Sequence, residues 1–245
     1  MEAATKESRP LFTNQQLCAL IVPLLIEQLL AVAVGMADTM MVSQAGEAAV
    51  SGVSLVDMIN NLIIYLFSAL ATGGAVVTSQ FIGARRIREA GDSAGQLVLL
   101  SLLSGLGILA FCLLCGRPVM RLFFGSITED VMEAGLLYLR ITAVSYPFLA
   151  LYNAGAALFR SVGNSGISMR VSIVMNLINI VGNTAFIYGL GPLPRMGAAG
   201  AALSTSLCRT AGMLMMLFAF FKSVEGATLS PKVLRPSPPT CCAGC

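Results

Sequence analysis

Six apolar stretches, each long enough to cross a lipid bilayer, constrain the fold of this sequence more than any other feature. A membrane-spanning helix requires about 20 consecutive, predominantly apolar residues. The six predicted spans are 17–42, 50–80, 94–116, 134–158, 167–190 and 197–221. Apolar side chains make up 56% of the chain and charged side chains 11%, whereas soluble domains carry about 25% charged residues. The sequence therefore predicts an all-α, polytopic membrane protein with six transmembrane helices.

The spans divide the chain into three parts. Residues 1–16 form a polar N-terminal segment, and it is not expected to be a cleaved signal peptide because no small-residue cleavage site follows the first span. Residues 17–222 contain the six spans. Residues 223–245 form a tail with several Pro and Cys residues. The predicted organisation is one transmembrane unit with short flanking segments.

The distribution of Lys and Arg predicts the orientation in the membrane, because cytoplasmic loops carry an excess of these residues. With the N-terminus inside, the cytoplasmic side holds Lys6, Arg9, Arg85, Arg86, Arg88, Arg160, Arg170, Lys222, Lys232 and Arg235. The opposite side holds Arg117, Arg121, Arg140 and Arg195. We therefore expect a multi-pass protein of the bacterial inner membrane with both termini in the cytoplasm.

Several function classes are disfavoured by what the sequence lacks. It contains no histidine, which removes His-dependent catalytic triads and His-ligated zinc. The basic residues are scattered, so no nucleic-acid-binding patch is expected. The loop acids Glu89, Asp92, Glu129 and Asp130 lack the paired pattern that a Mg²⁺-dependent prenyl-transferring enzyme would need. We expect neither an enzyme nor a bound cofactor or metal centre.

Three carboxylates lie inside the apolar runs. Glu27 and Asp38 are eleven residues apart in the first span, so they are only about 20° apart around a helix and about 16 Å apart along it. Asp57 shares a stripe of the second span with Asn61. An acid at the bilayer centre costs about 2.5–3.5 kcal/mol on insertion scales. These acids are therefore predicted to face a shared internal cavity rather than lipid.

Amides and hydroxyls add to the predicted polar interior. Asn176, Asn179 and Asn183 fall within about 60° on the fifth span, and we expect them to face the first span. Thr205 and Arg209 lie one turn apart on the sixth. Interhelical hydrogen bonding, which averages about 0.6 kcal/mol per contact in membranes, is the structural alternative, and it remains open for the asparagines and for Glu27 and Asp57.

Helix-disturbing residues recur in the spans. Pro23 lies in the first span, and Pro147 is expected to kink the fourth. The segment "GAAGAALST" (197–205) is rich in small residues, which allow a neighbouring helix to approach closely. Bent helices around a polar interior are more typical of a carrier than of a rigid anchor.

The motifs of these spans together resemble a known transporter family. They are "GMADTMMVSQAG" in the first span, "SQFIGARR" (79–86), "ALFRSVGNS" (157–165), "NLINIVGNTAFIYG" (176–189) and "GAAGAALST". In this order and spacing they resemble the multidrug and toxic compound extrusion (MATE) transporters, in the NorM-like bacterial branch. The resemblance runs from about Gln15 to Lys222.

The resemblance implies a fold and an activity. MATE transporters have twelve helices in two six-helix lobes, and they export cationic or amphipathic drugs in exchange for protons or sodium. Asp38 occupies the place of the family's coupling acid. Asn179 matches a fifth-helix Asn of some members, Thr205 matches a sixth-helix Thr, and Asn183 stands where those members have an Asp. The implied ion-coupling residues are Asp38, Asn179, Asn183 and Thr205, which are also where a sodium ion would bind.

The polar stripes of the spans predict that the remaining residues line a substrate cavity: Glu27, Asp57, Asn61 and Asn176. The resemblance leaves the roles of Glu27 and Asp57 open. Only the N-terminal lobe of the family is recognisable. The tail resembles nothing in the family and has the appearance of a frameshifted reading frame, so a second lobe would be needed in trans. Two alternatives stay open: a flippase for lipid-linked oligosaccharides, for which only Arg209 offers a cavity cation, and an inert membrane fragment.

Overall fold

The computed structural model describes residues 14–43, 46–125, 127–189 and 194–229, and within these ranges it is built from helices without strands. The helices are α1 (Asn14–Val42), α2 (Glu47–Gly83), α3 (Ile87–Phe124), α4 (Glu129–Ala143), α5 (Tyr146–Ser161), α6 (Ser165–Tyr188) and α7 (Gly197–Leu229). Residues 1–13 and 230–245, which hold most of the predicted N-terminal segment and tail, lie outside the described residues. The all-α prediction is confirmed.

Six membrane spans arise from the seven described helices because one span is broken. Five helices are long and apolar enough to cross a bilayer by themselves, and α4 and α5 pass the same test as a bent pair. The helices α2 and α3 contain 37 and 38 residues, or about 55 Å at 1.5 Å per residue. They therefore extend well beyond an apolar bilayer core of about 30 Å.

The break in the fourth span lies at Pro147, as the sequence predicts. The axes of α4 and α5 differ by 51°, and Pro147 stands in the first turn of α5, where a missing backbone N–H is tolerated. Ser145 Oγ donates to the Thr142 carbonyl oxygen at 2.6 Å, so a side chain satisfies a backbone acceptor at the break. This hydrogen bond stabilises the bend, and the bend places Ser145 beside the interior of the bundle.

Two glycines allow close contact between spans. A Cβ on Gly105 of α3 would lie 2.7 Å from Pro147 Cα, and a Cβ on Gly200 of α7 would lie 2.8 Å from the backbone of Phe186 in α6. Neither neighbour is a flexible side-chain end. The close approach predicted from "GAAGAALST" is therefore present between α6 and α7.

Buried and exposed apolar side chains separate into a core and a lipid-facing surface. The most deeply buried large side chains include Phe67, Met120, Leu139 and Tyr146, which come from α2, α3, α4 and α5. Large apolar side chains such as Leu29, Tyr65, Leu114 and Phe218 are exposed. An extensive apolar surface of this kind is expected where the surrounding medium is lipid.

Helix α1 lies at the edge of the bundle and packs mainly on α6. Of its described side chains, only Val34 and Val42 are buried. Polar contacts of Glu27 and Asp38 with α6 add to these few buried apolar contacts. The polar side of α1 is therefore a candidate functional surface.

Candidate functional site

A polar cavity of about 540 Å³ lies between α1, α2, α4, α6 and α7. It is formed by the C-terminal half of α1, the N-terminal part of α2 and the C-terminal half of α6, so it lies toward the end of the bundle where the α1–α2 and α6–α7 connections are. Its polar lining residues are Asp38, Thr39, Asp57, Asn60, Asn61, Tyr138, Asn176, Asn179, Thr205, Cys208 and Arg209. The volume falls within the range of about 300–1,000 Å³ found for small-molecule sites.

Asp38 on α1 is held by the asparagines of α6. Asn183 Nδ2 donates to Asp38 Oδ1 at 2.5 Å and to Asn179 Oδ1 at 3.3 Å. The side chains of Asn179 and Asn183 are 4% and 0% exposed. These two members of the predicted stripe therefore face the first helix, as the sequence indicates.

The amide of Asn179 can satisfy Asp38 in two ways. When the amide is turned so that its nitrogen faces α1, that nitrogen lies 2.9 Å from Asp38 Oδ1 and 3.3 Å from Oδ2, and it donates to an ionised carboxylate. In the opposite orientation the amide oxygen faces Asp38, where a protonated carboxyl group can donate to it. The orientation with the nitrogen towards α1 pairs a donor with both carboxylate oxygens, so it is the one that fits an ionised Asp38.

Asp57 on α2 belongs to a second part of the cavity wall. Tyr138 Oη donates to Asp57 Oδ1 at 3.3 Å and Asn60 Nδ2 donates to the same oxygen at 3.4 Å. Asn60 Oδ1 in turn accepts from Tyr146 Oη at 2.8 Å. The network ties α2 to α4 and α5 on either side of the 51° bend, so Asp57 connects the cavity to the broken span.

The other predicted residues line the cavity with looser contacts. Thr205 Oγ1 donates to the Ala201 carbonyl oxygen at 2.9 Å, which occupies its hydrogen within its own helix and leaves the oxygen as an acceptor. Asn61 is exposed and also lines the cavity. Asn176 Nδ2 is buried without a hydrogen-bond partner among the described residues. Thr205 and Asn61 therefore present polar groups that a ligand can contact, whereas the amide nitrogen of Asn176 is buried beside the cavity.

Glu27 does not line this cavity, contrary to its predicted place in the substrate cavity. Its Oε2 accepts from Ser168 Oγ at 3.1 Å, and its Oε1 lies 3.9 Å from Arg160 Nη1. Arg160 Nη1 also donates to Ser168 Oγ at 3.3 Å. The reason is the length of α1: Glu27 shares the α6-facing side with Asp38 but lies three turns nearer the N-terminus, level with the ends of α5 and α6 that meet there.

Two members of the site were not predicted, Tyr138 and Asn60, and Arg209, which the sequence offered as a cavity cation only for a flippase, also lies in the cavity wall. Arg209 is 7% exposed, and its Nη1 donates to Ser145 Oγ at 3.0 Å. Asn60 is within one helical turn of Asp57, so its spacing could have identified it. Tyr138 is 81 residues from Asp57, and helical spacing carries no information on such a contact.

Oxygen and amide nitrogen atoms make up the polar surroundings of Asp38. Within the part of the chain that the structure describes, no three Asp, Glu, Cys or His side chains converge as a metal site. Around Asp38 the polar atoms are one carboxylate and the amide groups of two asparagines. Carboxylate and amide oxygens can accept hydrogen bonds, and they are the type of atom that binds hard cations.

The MatE family model matches residues 23–185 of this chain. The chain belongs to the MatE family. Among its curated MatE relatives, the uncharacterized transporter YisQ of Bacillus subtilis (strain 168) is 32% identical over 222 residues, covering 91% of this chain and 48% of that protein. The multidrug resistance protein PmpM of Pseudomonas aeruginosa is 30% identical over 210 residues, covering 83% and 42%.

The solved structures of MATE proteins show the same architecture. A crystal structure of MATE in the bent conformation matches with a TM-score of 0.76 at 26% identity, covering 86% of this chain and 46% of that chain. The chain spans about half the length of the curated relatives it matches. The described helices therefore correspond to a single lobe of a MatE transporter.

Proposed function

We propose that this chain forms one lobe of a cation-coupled multidrug efflux antiporter, a transporter rather than an enzyme. It would export small cationic or amphipathic drugs in exchange for entering protons or sodium ions. The observation that carries the proposal is the contact of Asp38 with Asn183 inside a polar cavity between α1 and α6. The names of relatives such as PmpM, a multidrug resistance protein, support the same activity.

Ion coupling is assigned to Asp38 because the groups around it suit both of its charge states. The ionised carboxylate accepts from Asn183 and from the turned amide of Asn179, whereas the protonated form donates to the Asn179 oxygen. Sodium would be held by the carboxylate and the amide oxygens, with Thr205 Oγ1 as a further acceptor on α7. Each proton that enters down a potential of 100 mV supplies about 2.3 kcal/mol.

Coupling to movement follows from the position of α1. This helix is held to α6 by Asp38 near one end and by Glu27 further along, and Pro23 weakens its N-terminal part. A change of charge at Asp38 alters the hydrogen bonds that hold α1. The helix can then repack against α6 and change the shape of the cavity that receives the drug.

Transport would also require a second lobe. Alternating access in transporters of this kind rests on two repeats that move around one site. The second lobe would come from a longer polypeptide or from another chain in trans. With the N-terminus in the cytoplasm of a bacterial inner membrane, as the Lys and Arg distribution favours, the Asp38 cavity opens toward the outer half of the bilayer, where entering cations arrive.

A resistance assay in a two-lobed context tests the proposal. The lobe is fused to the second lobe of a relative and expressed in drug-sensitive cells. Asp38→Asn keeps size and hydrogen bonding but cannot titrate, so it is expected to abolish resistance at unchanged membrane expression. Thr184→Val is the matched control, because Thr184 Oγ1 bonds only to its own helix at the Ile180 carbonyl oxygen. Full resistance in Asp38→Asn cells would contradict the proposal.

A further inference from the structure

Arg209 is a buried cation in the cavity wall that ion exchange at Asp38 does not require. Its guanidinium carbon lies 5.9 Å from the centre of the Tyr146 ring, and one nitrogen donates to Ser145 Oγ. The ion pairs of the described residues are Arg86–Glu89, Arg117–Glu129 and Arg160–Glu27, so no carboxylate of this part of the chain lies within ion-pair distance of Arg209. A buried guanidinium is always charged, and burying it is costly without an anionic counterpart.

The charges around the cavity can be counted from its lining. The carboxylates are Asp38 on α1 and Asp57 on α2, and the cation is Arg209 on α7. The α4 wall contributes the neutral phenol of Tyr138, and the α6 wall contributes the amides of Asn176 and Asn179. With both acids ionised the lining carries a net charge of −1, because two negative charges oppose one positive charge. With Asp38 protonated the net charge is zero.

We infer that Arg209 makes this cavity selective for organic cations with one positive charge over those with two; the inference rests on the proposed function. A monocation that replaces one proton at Asp38 leaves the occupied cavity neutral in both states of the exchange. A dication would leave an excess positive charge in the cavity, facing the buried guanidinium of Arg209. Charges interact strongly in such surroundings, so the second charge is rejected.

The charge count predicts how substitutions change selectivity. Arg209→Gln makes the ionised lining −2, which favours dications. Asp57→Asn makes it zero, which weakens the binding of any cation. The double variant Asp57→Asn/Arg209→Gln returns the lining to −1 and is expected to recover monocation binding. If Arg209 only supports the fold, adding Arg209→Gln to Asp57→Asn removes a second buried polar contact, and monocation binding is not expected to recover.

Equilibrium binding of two cations of almost the same shape provides the test. N-methyl-phenylpyridinium carries one charge, and methyl viologen, a dimethyl-bipyridinium, carries two. Both are titrated into the purified full chain in lipid nanodiscs, in alkaline buffer where Asp38 is ionised. The wild type is expected to bind the monocation more tightly, and the affinity ratio is expected to shift toward the dication by about tenfold or more in Arg209→Gln.

The outcomes separate this inference from the proposed function. If monocation binding requires Asp38 but the affinity ratio of Arg209→Gln equals that of the wild type, the selectivity inference is overturned and the proposed function stands. The proposed function fails, and the inference with it, if the wild type binds neither cation. The same holds if the Asp38→Asn variant binds the cations as tightly as the wild type does. Should Arg209→Gln not fold, the comparison of Asp57→Asn with the double variant decides: recovery supports the inference and its absence overturns it.

Discussion

Asn183 on α6 donates a hydrogen bond of 2.5 Å to Asp38 on α1 and joins two residues that are 145 positions apart. Asn183 is fully buried, and α1 has few buried apolar contacts of its own. The pair therefore has two roles. It contributes to the attachment of an edge helix, and it places a carboxylate where a change of charge alters that attachment.

Removing the donor at Asn183 is expected to loosen α1. Asn183→Leu keeps a similar side-chain volume but leaves Asp38 without this hydrogen bond, at a cost of about 1–3 kcal/mol in the free energy of unfolding. Thermal unfolding in detergent, followed by circular dichroism, measures the change. Thr184→Val on the same helix serves as the control, and it is expected to change stability by less than about 0.5 kcal/mol. Equal stability of the two variants would show that the Asp38–Asn183 contact does not hold α1.

Glycine positions on α3 provide a test of packing at the broken span. Gly105→Ala would place a methyl group 2.7 Å from Pro147 Cα, whereas nothing lies within 4 Å of a Cβ on Gly107. The first substitution is expected to destabilise the protein by about 1–3 kcal/mol. The second is expected to be neutral or stabilising by up to about 1 kcal/mol, since Ala is the better helix former. A loss of stability in Gly107→Ala that equals the loss in Gly105→Ala would contradict the described contact between α3 and α5.

The contact of Glu27 with Arg160 is expected to hold the N-terminal half of α1. In Arg160→Gln the carboxylate of Glu27 keeps only the Ser168 hydroxyl, so backbone amides near Glu27 should exchange with deuterium faster than in the wild type. Those near Asp38 should not change. Because both side chains are partly exposed, the coupling energy in a cycle with Glu27→Gln is expected to be about 0.5–1 kcal/mol. Zero coupling would indicate that the ion pair does not contribute to holding α1.

The orientation of the lobe can be tested by labelling single cysteines in a variant whose native cysteines are replaced. Ala84→Cys lies in the exposed turn between α2 and α3, and Thr128→Cys lies in the exposed connection before α4. With the N-terminus in the cytoplasm, a membrane-impermeant maleimide applied to intact cells labels Thr128→Cys only. If only Ala84→Cys were labelled, the orientation would be the opposite of the predicted one.

Helical spacing predicted which side of each span is polar, and contacts between spans decided which residues meet. Glu27 and Asp38 were expected to share one side of α1, and both bond to α6, at Ser168 and Asn183. Spacing also placed Asn61 on the same stripe of the second span as Asp57. Positions three and four residues away are equally near on a helix, and the packing of α4 and α5 against α2 buries Asn60 instead.

The remaining parts of the site depend on tertiary structure alone. Tyr138 reaches Asp57 because the broken span bends by 51°, and no local pattern gives the direction of that bend. The sequence offered Arg209 as a cavity cation only in the flippase alternative. Its place in the cavity follows from the packing of α7 against the broken span, where it contacts Ser145 and Tyr146, and spacing does not show which side chains that packing brings together.

Proton release on drug binding tests the role of Asp38 most directly. The wild-type lobe in weakly buffered nanodiscs is expected to release about one proton for each monocation bound, because occupancy of the cavity favours the ionised carboxylate. If sodium is the coupling ion, sodium release takes the place of proton release. Folded Asp38→Asn protein is expected to release neither ion. Ion release by Asp38→Asn equal to that of the wild type would contradict the assignment of coupling to Asp38.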